Sequence, residues 1–419
     1  MFRVELLSFY AGQKYLALQE QVLLLLANVS KTPSRQVLTN AQPKTSELRG
    51  YLPTLDGWRA IAILIVLFFH SRDALIRVFG APMARLGPHM LLWGPFGVDL
   101  FFAISGLLIT SRLIAEESSS GSISLKGFYI RRAFRILPPS LTYLAVIGVL
   151  GGLGIIAFRL DSWIAALFFY VNFTTEPLWY VGHFWSLAVE EHFYAFWPAL
   201  LVFVKTKYRL RIALVLCLLV FFWRVVNYKY AAIGLAMGST YFDHQGRTDF
   251  QIDGILWGAA LALAYDRFSN KPWFRRLLTL PVGAVLLSVV LGSLIVSGNW
   301  KLLQALLLFR KIAIPVVLLI TVLNCRGIVA SVFEQTLLRK IGRLSYSLYL
   351  WQQLFLVWHI ESLTHVPWVN IFPLNLLCTF TCAAISYRFL ERPFIRMGHR
   401  VAKWVESSRL PLADDEIVA

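Results

Sequence analysis

The sequence has few charged residues for its length. Asp, Glu, Lys and Arg together make up 15% of the 419 residues, and 58% are hydrophobic. Soluble globular domains usually contain about 25% charged residues, so this deficit argues against a soluble enzyme. Recurring apolar runs of about 18 residues or more instead predict a polytopic helical membrane protein. The ten-residue alternating segments typical of a transmembrane β-barrel are missing as well.

Cysteine is also scarce. The chain has four, at Cys217, Cys325, Cys378 and Cys382. None belongs to a Cys-x-x-Cys pair and at least three lie in apolar runs, so we interpret them as packing residues and expect no zinc or other metal site. No G-x-S-x-G elbow, Walker A loop, H-E-x-x-H motif or G-x-G-x-x-G fingerprint lies where it could serve the chemistry.

Negative charge is outweighed by positive charge, which gives a formal net charge of +17. In a soluble protein this excess would suggest nucleic acid as a partner. Here the basic residues lie mostly between apolar runs, which is typical of topology signals and of contacts with lipid headgroups. We therefore expect the lipid bilayer, and no nucleic acid, as a partner.

The apolar runs predict an all-α bundle of about ten transmembrane helices. The predicted spans lie near 57–77, 92–113, 139–158, 183–204, 209–227, 249–266, 279–297, 304–324, 343–360 and 369–390. Most Lys and Arg residues fall in the two tails and in the even-numbered loops, which predicts that both termini are cytoplasmic. The apolar stretch 163–173 is too short to cross and suits a re-entrant or interfacial segment.

We divide the chain into three parts. Residues 1–50 form an N-terminal extension that is mobile or lies on the membrane as a short helix. Residues 51–396 form the transmembrane domain. Residues 397–419 form a polar cytoplasmic tail, which we expect to be mobile because it is too short and too polar for a second domain.

The first candidate pair is Arg59 and His70, in the stretch LDGWRAIAILIVLFFH. Eleven residues place both side chains on one helix face, about 16 Å apart along the axis. An arginine at a helix mouth can simply reach lipid headgroups. A histidine deep in a membrane helix is costly unless it is paired or faces a cavity, which favours a functional role. Imidazole can take a proton from a hydroxyl group near neutral pH.

Acidic residues in the spans are the second set of candidates. Asp99 opens the second span, where it can complement the helix dipole or orient a histidine or an arginine. Glu190 and Glu191 lie together in GHFWSLAVEEHFYAFWP, about 100° apart on a helix, so at most one of them is expected to face a given site. Asp249 and Asp253 are four residues apart near the start of the sixth span, where they can complement the helix dipole or form a polar site.

Arginines before the third span are the third set. Arg131, Arg132 and Arg135 lie in FYIRRAFRILPP, where they can act as a positive-inside signal. Arg132 and Arg135 are three residues apart and can also reach one ligand. Guanidinium groups bind phosphates bidentately, so these two arginines could hold a phosphate-rich donor.

Six blocks of the sequence, taken in order, resemble the acyltransferase 3 family of membrane acyltransferases. They span Leu52 to about Arg396 and read LDGWRAIAILIVLFFH, FGVDLFFAISGLLIT, RRAFRIL, WSLAVEEHFY, SYSLYLW and LERPF. The resemblance implies a ten-helix bundle in the bacterial inner membrane. It also implies transfer of an acyl group, commonly acetyl from acetyl-coenzyme A, to a hydroxyl of a sugar or sugar-bearing molecule.

By the same resemblance, His70 matches the catalytic histidine of the family and Arg59 its paired arginine. Arg132 and Arg135 match the arginine pair that meets the coenzyme, while Asp99 and one of Glu190 and Glu191 match acidic positions. One departure is Gln352, which stands where family members often have histidine.

These expectations leave several alternatives open. His70 can deprotonate the acceptor for direct attack on the thioester, or form a covalent acyl-histidine. A carboxylate among Asp99, Glu190 and Glu191 would orient or balance the imidazole. The acceptor can be O-antigen, exopolysaccharide, peptidoglycan, a glycolipid or a small glycosylated metabolite, and the acyl group can be other than acetyl. A transporter of acidic or sugar substrates is the main rival, disfavoured because no inverted halves or paired broken helices stand out. A non-catalytic assembly or sensor protein is a further rival.

Overall fold

The fold begins with a helix that contains both Arg59 and His70. The computed structural model describes residues 48, 50–174, 177–236, 246–294, 300–357 and 370–407. Helix α1 spans Pro53–His70, with proline at its start, where a missing N–H is not needed. The N-terminal extension predicted over residues 1–50 lies almost wholly outside the described residues.

All the described secondary structure is helical, and no described residue lies in a β-strand. After α1, the α-helices are α2 Arg72–Phe79, α3 Ala81–Ser120, α4 Leu125–Gly152, α5 Leu160–Leu167, α6 Trp179–Gly182, α7 Phe184–Phe203, α8 Thr206–Ala236, α9 Thr248–Gln251, α10 Asp253–Phe268, α11 Pro272–Leu277, α12 Leu280–Ser293, α13 Trp300–Leu323, α14 Ile328–Phe333, α15 Thr336–Phe355, α16 Leu374–Ser386 and α17 Arg392–Ser407. A 3₁₀ turn at Val171–Phe173 precedes α6, and a π turn at Tyr387–Glu391 joins α16 to α17.

Four of the described helices contain segments long and apolar enough to cross a membrane: Pro53–His70, Trp93–Ser120, Leu125–Gly152 and Thr206–Asn227. A helix overlaps each of the ten predicted spans, but the count of ten crossings and the cytoplasmic position of both termini stay predictions. The stretch 163–173, predicted to be re-entrant or interfacial, forms the end of α5 and the following 3₁₀ turn.

Helix α3 is the centre of the bundle. The most apolar part of its membrane segment is 78% buried by protein, whereas that of α8 is only 17% buried. Helix α3 packs most extensively on α10 and also on α1. Two glycines bring α3 and α10 together: a Cβ at Gly106 would overlap the Ile255 carbonyl, and one at Gly258 would lie 2.5 Å from the Ala103 carbonyl oxygen. Small residues of this kind let helix backbones touch.

Helix α4 begins well before the third predicted span. The Ser124 hydroxyl caps it by accepting a hydrogen bond from the Gly127 amide at 3.1 Å, and Pro138 and Pro139 lie inside the helix. The three arginines predicted to precede a span are therefore part of one continuous helix. This fixes their directions by the helical period, which a loop would not do.

The C-terminal segment differs from the predicted tail. Residues 392–407 form α17, which packs along α4, and residues 408–419 lie outside the described part. The reason is amphipathicity: Gly398 lies against the Phe134 side chain and Ala402 is fully buried, while the charged residues share other faces.

Candidate active site

A cavity of about 830 Å³ lies between α1, α3, α4, α7 and α15. Four guanidinium groups line it, from Arg59, Arg112, Arg132 and Arg135, and Glu190 is the carboxylate on its wall. We call this site the arginine cavity. Its remaining wall mixes apolar residues of α3 with hydroxyl groups of α3, α7 and α15. A cavity with this excess of positive charge suits an anionic ligand with an apolar part.

The three arginines of α4 point in different directions because of the helical period. Arg132 and Arg135 line the cavity. Arg131 points away and pairs with Glu116 at 3.2 Å and Glu406 at 2.7 Å. Two of the three arginines are thus available to a ligand, as the three-residue spacing predicted, and the third anchors α17.

Glu190 holds Arg132 in place. Its carboxylate lies 3.7 Å from the Arg132 guanidinium and accepts hydrogen bonds from Ser105 at 3.2 Å and Tyr194 at 2.6 Å. The Arg132 guanidinium also stacks over the Tyr194 ring, 3.5 Å from its centroid. Glu191 does not line the cavity, in keeping with the angle of about 100° between neighbouring helix positions.

Arg59 and Arg112 complete the positive wall. Arg59 pairs with Asp56 at 3.4 Å, one turn earlier in α1. Arg112 was not among the predicted residues, because an arginine at the end of a span resembles a headgroup contact. Its position in α3 could have identified it: Arg112 follows Ser105 by seven residues, so both lie on the α3 face that lines the cavity.

His70 lies beyond the inner end of the arginine cavity and does not line it. Its Nδ1 is 3.0 Å from the Val66 carbonyl oxygen. A carbonyl only accepts, so Nδ1 carries the proton of the neutral ring and Nε2 is the basic nitrogen. Ile63 and Val66, on the same face of α1, are buried between Arg59 and His70.

Two residues near His70 were missing from the predicted site. His183 is close enough to His70 for their charges to interact, and it is buried between the rings of Tyr143 and Tyr349. Gln352, the departure noted in the sequence, is fully buried next to His70. Both are polar residues in apolar segments, which is the signal that could have found them.

Asp99 lies in a separate group of buried charges. It pairs with Arg310 at 2.7 Å and with Lys311 at 4.0 Å. Lys311 also reaches Asp253 at 2.9 Å, and Arg224 pairs with Asp253 from the other side. We call Asp99, Arg224, Asp253, Arg310 and Lys311 the ion-pair cluster. Of the two partners that the sequence left open for Asp99, a histidine or an arginine, the structure places an arginine beside it, with a lysine of the same helix, α13.

No group of three or more His, Cys, Asp and Glu side chains that could hold a metal ion occurs in the described part of the chain.

The chain is similar to known proteins over most of its length. The family profile described as Acyltransferase domain matches residues 52–388. A Staphylococcus aureus protein with a provisional O-acetyltransferase assignment in its name is 31% identical, over 86% of this chain and 60% of its own length. The peptidoglycan O-acetyltransferase OatA of Listeria monocytogenes is 30% identical, over 84% of this chain and 57% of its own.

A further relative is the O-acetyltransferase OatA of Staphylococcus aureus, 28% identical over 88% of this chain and 61% of its own length. The chain therefore spans about three fifths of the length of the curated relatives it matches. No solved structure matches it significantly.

Proposed function

The chain belongs to the acyltransferase 3 family, and from that premise we propose that it moves an acetyl group from acetyl-coenzyme A to a hydroxyl of a saccharide. The donor binds from the cytoplasmic side, where we place both termini, in the inner membrane of a bacterium. The saccharide acceptor is supported by the names of the relatives, one of which acts on peptidoglycan. O-antigen and exopolysaccharide are the other acceptors of the same chemistry.

The arginine cavity carries this proposal. Four guanidinium groups meet one carboxylate there, and they lie close enough together for their charges to repel. Such a group of cations is stabilised by a multiply charged anion. Coenzyme A supplies this in its phosphates, and its apolar pantetheine arm suits the apolar wall of α3. Arg132 and Arg135 are the proposed contacts of the diphosphate, with Arg59 at the inner side.

His70 is the proposed general base. Its Nε2 takes the proton of the acceptor hydroxyl, the hydroxyl oxygen forms a bond to the acetyl carbon, and the carbon–sulfur bond breaks. The imidazolium of His70 gives this proton to the leaving thiolate, so that coenzyme A departs as the thiol and the neutral ring is restored. The hydrogen bond of Nδ1 to the Val66 carbonyl fixes the tautomer in which Nε2 can accept.

The three acidic residues have different proposed roles. Glu190 positions Arg132 in the donor site, since it is the carboxylate on the cavity wall and pairs with that arginine. Glu191 lies within electrostatic reach of Arg132 and supports the same region from behind the wall. Asp99 is proposed to stabilise the bundle through Arg310 and Lys311.

The test uses the full-length protein in lipid nanodiscs with radiolabelled acetyl-coenzyme A and purified glycan strands. We expect wild-type protein to label the glycan and His70→Ala to lose at least about 100-fold in rate, the range typical of a general base. His192→Ala is the matched control, because His192 bonds to Thr248 and does not line the cavity.

Two results would overturn the proposal. One is full activity of the His70→Ala variant. The other is uptake of labelled sugar into proteoliposomes by a wild-type protein that transfers no acetyl group to any glycan, which would identify a transporter.

A further inference from the structure

Helix α17 carries a stripe of basic residues. Arg392, Arg396, His399 and Lys403 are spaced by four, three and four residues, which places them within about 60° of one another around the helix. A second stripe, about 100° away, holds the exposed apolar side chains of Met397 and Trp404. The helix therefore has three different faces: a basic face, an exposed apolar face and the buried face that packs on α4.

Contacts with α4 fix that orientation. Gly398 lies against Phe134, Ala402 is fully buried, and Glu406 accepts a hydrogen bond from Arg131 at 2.7 Å. The Glu406 pair lies at the edge of the basic stripe. The stripe therefore lies next to the side of α4 that carries Arg131.

The basic stripe meets the arginine cavity. His399 lies within electrostatic range of Arg131, Arg112, Lys403 and Arg135, and two of these, Arg112 and Arg135, line the cavity. Partial burial, followed by the charges of these four cations, holds the pKa of His399 below its ordinary value. Positive charge thus continues from the cavity wall at Arg112 and Arg135 to His399 and Lys403 on α17.

Four carboxylates of this region are already paired. Glu116 and Glu406 pair with Arg131, Glu190 pairs with Arg132, and Glu117 pairs with Arg209. Within the described residues, Arg112, Arg135 and Lys403 form no ion pair. Glu391 is buried within electrostatic range of Arg135 and Arg59, so the positive charge without a described carboxylate beside it is that of Arg112 and Lys403.

We propose that α17 completes the donor site: His399 and Lys403, together with Arg112, bind the 3′-phosphate of the coenzyme A ribose, while Arg132 and Arg135 bind its diphosphate. This inference rests on the proposed function. Two anion sites along one cavity match a ligand that carries a diphosphate and a separate monophosphate. An anionic lipid headgroup has the same chemistry as the monophosphate, so the experiment distinguishes the two.

The experiment compares coenzyme A with 3′-dephospho-coenzyme A, which differ by that phosphate alone. Full-length protein in zwitterionic nanodiscs is titrated with each, and acetyl transfer is measured with the two acetylated forms. Charge-assisted hydrogen bonds of the usual strength predict that wild-type protein binds coenzyme A about 10- to 100-fold more tightly. In a His399→Gln, Lys403→Gln double variant the ratio of the two dissociation constants should fall towards one.

Arg400→Gln is the matched control. Arg400 is a basic residue of the same helix, but it lies on the side of Met397 and Trp404. It should leave the ratio of dissociation constants as in wild-type protein. An equal loss in the control would show that the ratio reports the total charge of α17 rather than a site.

The outcomes separate the two proposals. An unchanged ratio in the double variant overturns the site on α17. The site is also overturned if the dissociation constants of the variant and of wild-type protein differ only in the presence of anionic lipid, and by the same factor for both ligands. That result would identify a lipid headgroup as the occupant. If wild-type protein binds coenzyme A with the expected ratio but transfers no acetyl group, the site stands and the acyl-transfer proposal fails.

Discussion

Two groups of charged residues lie inside this helical bundle, and they are built on opposite principles. In the ion-pair cluster three cations face two carboxylates, and each of the five residues is at most 7% exposed. In the arginine cavity four cations face one carboxylate, and they enclose about 830 Å³ of open space. Burial of charge is common to both, so burial alone does not mark a functional site.

The feature that separates the two groups is charge balance. A nearly neutral, close-packed group cross-links helices, and here it joins α3, α8, α10 and α13. Removing one partner from such a group leaves an uncompensated charge, which is strongly destabilising. An unbalanced group beside a cavity is instead stabilised by what binds there. Substitutions in the two groups should therefore have opposite signatures.

The largest expected effect is that of Asp99→Asn. Arg310 and Lys311 would lose a carboxylate inside the bundle, which typically costs about 3–5 kcal/mol. We expect a clear drop in thermal stability, with coenzyme A binding unchanged per folded molecule. Melting curves in nanodiscs and titration of the folded fraction measure both quantities.

Asp249→Asn is the control for that substitution. Asp249 also pairs with an arginine, Arg247, but at a half-exposed position where an ion pair contributes little, about 1 kcal/mol or less. If Asp99→Asn melted like wild-type protein and instead lost acetyl transfer, Asp99 would have the catalytic role that the sequence predicted.

The second effect is that of Arg135→Gln in the arginine cavity. Loss of one phosphate contact should weaken coenzyme A binding by about 10- to 100-fold. Thermal stability should stay the same or rise, because the other guanidinium groups lose a repulsive neighbour. Arg211→Gln, at an exposed position of α8, should change neither quantity. A large loss of stability in Arg135→Gln would place this arginine among the structural ion pairs.

The smallest effect is a dependence on pH. The pKa of His399 lies below its ordinary value in the free protein, so the ring is neutral at pH 8. A bound phosphate favours the charged ring and raises this pKa, so binding takes up a proton. Coenzyme A should therefore bind a few-fold more tightly as the pH falls from 8 to about 6.5, a range in which the phosphate, with a pKa of about 6, stays largely dianionic.

The other charged groups that face His399 are Arg112, Arg131, Arg135 and Lys403, together with Glu116 and Glu406, which pair with Arg131. Two comparisons separate their contribution to the slope from that of His399. The slope should be absent in His399→Gln and much smaller for 3′-dephospho-coenzyme A. The same slope in the variant and in wild-type protein would assign the titration to another group.

Much of the helical architecture could be predicted from the sequence, because an apolar run identifies a buried or membrane-embedded helix without knowledge of distant residues. The ends of the helices were harder to predict. The predicted span 57–77 is two helices that meet at Ser71, and the third span begins as a helix fourteen residues before its predicted start. The early turns of α4 are basic, so they do not belong to the apolar run from which the span was predicted.

The residues of the candidate site also differ in how far the sequence could predict them. Arg132 and Arg135 were predictable as a pair because their spacing is local. The partners of Asp99 were not, since Arg310 is 211 residues away in the chain. His399 and Lys403 were assigned to a polar tail, because a basic stripe on a surface helix and a disordered charged segment have similar compositions.

The close contact of α3 and α10 at Gly106 and Gly258 has a mechanical consequence. Where two backbones touch, the helices move as one body, so α10 stiffens α3, the helix that lines the cavity from Val98 to Arg112. The passage from this cavity to His70 is closed by packed side chains, among them Val66. We therefore expect the opening movement in the opposite wall, where Tyr349 of α15 bonds to the Ser186 hydroxyl of α7 at 2.5 Å and to the His183 carbonyl oxygen, just before α7, at 3.0 Å.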